Sequence, residues 1–115
     1  MDDYGGGDEL FSYRVVWQPA DVAELRLTGE LDLFSAAQLR EVVRDIRLAM
    51  PSCLVVDLSG LTFADARGLG VLIEMVRETR SRGVTVNLLH QVPAIERLAQ
   101  LLHVELDDLL GEVTG

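Results

Sequence analysis

Between Asp57 and Gly70 the chain gathers residue types that could act or bind: carboxylates at 57 and 65, an arginine at 67 and glycines at 68 and 70. A carboxylate pair could do acid–base work, an arginine could hold an anion, and glycines let another main chain come close. Asp65 has a simpler use, because it stands just before a helical pattern where a carboxylate accepts orphan backbone amides. No nucleophile, base and orienting group can be named together, so catalysis is not expected. His90 and His103 are the only histidines, and their spacing fits no metal signature. Gly68-Leu69-Gly70 lacks the further glycine or lysine of a dinucleotide or phosphate loop. The single Cys53 reads as packing at the start of a strand. Neither a metal nor a cofactor is expected.

Two elements must position this group. Leu54, Val55, Val56 and Leu58 form a short continuous apolar run, which predicts a central strand covered on both faces and followed by a short loop. Leu69, Leu72, Ile73 and Val76 recur at helical spacing, with Asp65 as cap and Gly83 as stop. The helix start breaks two local rules. A glycine in a helix costs on the order of 1 kcal/mol relative to alanine, and a cation at the positive helix end costs roughly 0.3–1 kcal/mol. Close packing on the sheet and approach of a partner explain the glycines equally well. Such inconsistencies concentrate at functional sites.

Residues 1–9, with Gly5-Gly6-Gly7 and four acids, read as a flexible acidic leader outside the fold, leaving a domain over residues 10–112. Phe11, Tyr13, Val15 and Trp17 alternate with more polar neighbours, as do Ala23, Leu25 and Leu27, and Pro19-Ala20-Asp21 supplies a hairpin turn between them. Ser35 and Gln38 have capping-box spacing with Phe34 and Leu39 as a hydrophobic staple, so a helix is predicted from there to Pro51, buried through Ala36, Leu39, Val43 and Ile46. Thr85 to Leu89 reads as a strand, Pro93 opens a third helix, and a short element lies near Leu106 to Leu110. The order predicts a single α/β domain, a mixed sheet partly covered by three to four helices.

With 115 residues the chain can bury one core. Its net charge is −9, and removing eight acids near the two ends leaves a body at −1. All ten basic residues are arginine, a residue suited to protein interfaces. Nucleic acid is not an expected partner, because no basic patch is visible. No stretch could span a bilayer and no signal peptide is recognisable, so a cytoplasmic location without membrane insertion is expected.

Asp57-Leu58-Ser59, Phe63-Ala64-Asp65 and Gly68-Leu69-Gly70-Val71 resemble the signature of STAS domains of the bacterial anti-sigma factor antagonist type. Gly29-Glu30-Leu31-Asp32 with Ala36 resembles a second block of that family, and the likeness runs from about Phe11 to Leu110. It implies a non-catalytic regulatory module that binds an anti-sigma factor or kinase-like protein through Asp32, Leu33 and Ser35 and through Asp65, Ala66, Arg67, Gly68, Leu69 and Gly70. In that family the helix start commonly reads Asp-Ser-Ser-Gly, and the serine before the glycine is phosphorylated by the partner. Here that position is Arg67 and the one before it Ala66, so the usual acceptor is absent. Ser35, Ser59 and Thr62 are the substitute acceptors in principle. The resemblance also admits a ligand-binding or transporter-accessory role, in which Arg67 and the free amides around it hold a phosphate or carboxylate. Oligomeric state stays open.

Overall fold

The computed structural model describes residues 2–89. Strands β1 (Tyr4–Gly7), β2 (Phe11–Gln18), β3 (Val22–Leu31), β4 (Cys53–Ala64) and β5 (Thr85–Leu89) form one sheet in that order, with helix α1 (Leu33–Leu48) between β3 and β4 and α2 (Ala66–Ser81) between β4 and β5. The first three strands are antiparallel neighbours, whereas β3, β4 and β5 run parallel. Ala20 and Asp21 take positive φ in the loop joining β2 to β3, the tight reversal expected at Pro19-Ala20-Asp21. Each parallel pair is closed by one helix, and since consecutive strands are neighbours, both right-handed crossovers put their helices on one face.

Burial follows from this one-sided cover. Val15, Leu25, Val56 and Leu88 lie side by side across β2 to β5, all buried against the helices. From α1 the core receives Ala36, Leu39, Val42, Val43 and Ile46, and from α2 it receives Leu69, Leu72, Ile73 and Val76. Burying one such aliphatic side chain contributes about 1.5–3 kcal/mol. The other sheet face carries Arg14, Glu24, Arg26, Val55 and Asp57 at half or full exposure. The expectation that the central strand is covered on both faces is therefore corrected: Leu54, Val56 and Leu58 are buried on the helix side, whereas Val55 and Asp57 are half-exposed on the other.

Three further expectations are corrected. Residues 1–9 do not all lie outside the fold: Tyr4–Gly7 pairs with β2 from Tyr4 opposite Val15 to Gly7 opposite Ser12, and Asp3 Oδ1 accepts the Trp17 amide at 2.8 Å. Glycines that look like a linker are also the residues that let one strand lie close to its neighbour's main chain, as the nearness of a Gly5 methyl to the Tyr13 carbonyl would show. The predicted loop after Leu58 is strand through Ala64, because β3 extends to Leu31 beside it, with irregular register between Arg26 and Thr28 and between Gly29 and Glu30. Helix α1 is capped by Asp32 rather than Ser35, and Phe34 is no staple but 83% exposed. The described residues hold two helices of the three to four expected. The helix predicted from Pro93 and the element near Leu106 lie outside the described residues.

Deleting residues 2–8 is expected to raise amide hydrogen exchange along β2 and leave β4 protected. Unchanged protection in β2 would show that β1 adds nothing to the sheet.

Candidate functional site

Parallel neighbours β3 and β4 end together, Leu31 opposite Ala64, so α1 and α2 start side by side at the carboxyl ends of these strands. The Asp65 amide donates to the Leu31 carbonyl at 3.1 Å and joins the two starts. Gly68 tightens the joint. A methyl group there would overlap the Leu31 carbonyl, 2.6 Å from its carbon and 3.0 Å from the Asp32 nitrogen.

Both helix starts are capped by carboxylates. Asp32 Oδ1 accepts the amides of Phe34 and Ser35, each at 3.0 Å, while Ser35 Oγ accepts the Asp32 amide at 2.8 Å and donates to the Glu30 carbonyl at 2.9 Å. This is a capping box with the serine at its inner position. The Ser35 amide, with the serine hydroxyl and the Phe34 amide, holds the Asp32 carboxyl below its usual range. On α2, Asp65 Oδ1 accepts the Gly68 amide at 2.8 Å, so the capping role read from the pattern is present.

The proposed contact residues divide into two groups. Ala66, Arg67 and Gly70 are exposed on α2, Leu33 is 49% exposed on α1, and Asp32 and Asp65 are half-buried. Gly68, Leu69 and Ser35 are buried and act from beneath: Leu69 is fully covered in the core, and Ser35 is 3% exposed. Arg67 enters no ion pair among the described residues. The two glycines also separate. Among the described residues a methyl group at Gly70 would meet nothing within 4 Å, so packing accounts for Gly68 and not for Gly70.

Of the substitute acceptors, Ser35 is committed to the cap and buried, whereas Ser59 and Thr62 are exposed on β4. Thr62 Oγ1 donates to the Gly29 carbonyl at 3.3 Å. Cys53 is half-buried at the start of β4, its thiol pushed up by burial.

Apolar residues around the helix starts escaped the sequence reading. Leu10 is 67%, Phe34 83% and Phe63 50% exposed. Leu10 and Phe34 border one small cleft of about 140 Å³ with Asp32, and Phe63 pairs with Glu30 one step before the β3 end. The missed signal was Asp32 three residues before Ser35: a cap at 32 turns Phe34 outward.

Comparison with known proteins decides the family, since the chain matches the STAS domain over residues 13–110. It belongs to the STAS domain family. The anti-sigma-F factor antagonist RsfB of Mycobacterium tuberculosis is 41% identical over 51 residues, covering 44% of this STAS chain and 42% of RsfB, so the match spans less than half of that relative. The anti-sigma-B factor antagonist of Listeria monocytogenes is 22% identical over 108 residues, covering 90% of this chain and 95% of its own. The crystal structure of an anti-sigma factor antagonist from Mycobacterium paratuberculosis shares the fold, with TM-score 0.70 and 24% identity over 91% of this chain and 95% of that one.

The division between the glycines predicts opposite outcomes in urea unfolding. Gly68→Ala is expected to destabilise by about 1–3 kcal/mol, as overpacking does. Gly70→Ala, free of any contact, is expected to be neutral or to stabilise by up to about 1 kcal/mol. Equal losses in both would remove the distinction.

Proposed function

We propose that this STAS domain is a non-catalytic regulatory module that docks a kinase-type anti-sigma factor at the paired helix starts, independently of phosphorylation at position 67. The single observation that carries this reading is the exposed Arg67, without an ion pair among the described residues, beside the open Gly70 and across the Leu31 junction from the exposed Leu33 and Phe34. A cation and an uncovered main chain flanked by large apolar side chains suit a partner that brings an acidic rim and apolar anchors. The antagonists among its relatives support the class of partner.

In this reading the charge at position 67 is permanent. Phosphorylation would add negative charge at a helix N-terminus, whereas a guanidinium supplies the opposite sign and cannot be removed. Occupancy of the partner then depends on the amounts of the two proteins, and affinity on salt, not on a kinase and phosphatase cycle acting at this position.

Titration calorimetry against the kinase-type anti-sigma factors of the same genome tests the proposal. Arg67→Glu is expected to weaken binding about tenfold or more, near 1.4 kcal/mol, with a smaller difference at high salt. Incubation with partner and ATP is expected to leave the chain without added phosphate. Equal affinity of both forms, or phosphate transfer to Ser59 or Thr62, would overturn it.

A further inference from the structure

A second concentration of unexplained residues lies at the opposite end of the helices. Arg44 and Arg47 near the end of α1, Arg82 just after α2, and Leu48, Met50 and Val84 line an open cavity of about 590 Å³. The 16 residues of α1 separate it from the Asp32 cap by roughly 24 Å.

Folding accounts for part of this cluster. A cation in the last turn of a helix offsets its dipole, which explains Arg47. Glu78 takes Arg47 at 3.0 Å and Arg82 at 3.4 Å, and the neighbouring guanidiniums hold its carboxyl below the usual range. One carboxylate therefore serves two arginines, and Arg44 has no ion pair among the described residues. In a chain of net charge −9 this is a local excess of positive charge.

The apolar side of the cavity is also unaccounted for. Leu48 is 77% and Met50 83% exposed, so neither serves the core. Met50 takes φ 56° as the residue just past the α1 cap, its amide donating to the Arg47 carbonyl at 2.9 Å, so the helix end accounts for its backbone and leaves only its side chain without a role.

We propose that this cavity binds a small organic anion, with a phosphate or carboxylate head held by Arg44 and Arg82 and an apolar body laid on Leu48, Met50 and Val84. Guanidinium forks match both kinds of head bidentately, and the volume lies in the range of small-molecule pockets. The cavity is separate from the paired helix starts and does not rest on the partner proposed for them.

Two-dimensional amide NMR of the full chain tests the site with four probes: 2-naphthyl phosphate, 2-naphthoate, inorganic phosphate and 2-naphthol. At least one aromatic anion is expected to give saturable shifts confined to residues 44–50 and 82–84, at least about tenfold tighter than inorganic phosphate or 2-naphthol. Which of the two anions binds more tightly identifies the head. The folded double variant Arg44→Gln/Arg82→Gln is expected to weaken binding about tenfold or more, and Arg67→Glu to leave it unchanged. The proposal is overturned if neither anion saturates these amides, if 2-naphthol binds as tightly, or if the double variant binds like the parent.

Discussion

The close approach of Gly68 to the Leu31 carbonyl is the constraint on which the rest of the site depends. It brings the start of α2 against the end of β3, where α1 begins, so that two helix starts from separate crossovers form one surface. A side chain at 68 would push α2 outward and separate Arg67 from Leu33 and Phe34. The sheet supports the same geometry from below: β3 and β4 run parallel and end in register, so their helices leave at the same height.

Upon this joint the surface is built from residues that the fold does not need. Leu69 and Ser35 hold the helices down, and Asp32 and Asp65 satisfy the first amides. Arg67 and Gly70 do neither, and each works against the helix it sits in, by charge and by backbone entropy. Helix α2 has no acid in its first turn to complement the dipole. A helix designed only for stability would reverse these choices.

How much of this was legible in the sequence depended on the physical signal each part carries. The helical stripe at Leu69, Leu72, Ile73 and Val76 and the alternation of β2 and β3 were plain, because burial on one face leaves a periodic trace. The Asp65 cap was equally plain. Strand β1 was not, since Gly5-Gly6-Gly7 has no side-chain period and carries the composition of a linker. The extension of β4 past Leu58 was hidden for a related reason: it is held by β3 across bulges, which are long-range pairings and not local preferences. The cap of α1 was misplaced by three residues because Ser35 and Asp32 both have capping chemistry, and that shift concealed Phe34 as a surface residue. For the two glycines, sequence could offer packing and access equally; only the surroundings of each backbone atom assign close packing to Gly68 and show none at Gly70 among the described residues.

Hydrogen–deuterium exchange of the full chain, alone and saturated with a kinase-type anti-sigma factor that binds it, tests the central claim most directly. The account predicts added protection at residues 32–34 and 66–70 together, with the open sheet face around Arg14, Arg26 and Val55 unchanged. Protection confined to that sheet face, with both helix starts exchanging as in the free protein, would contradict it.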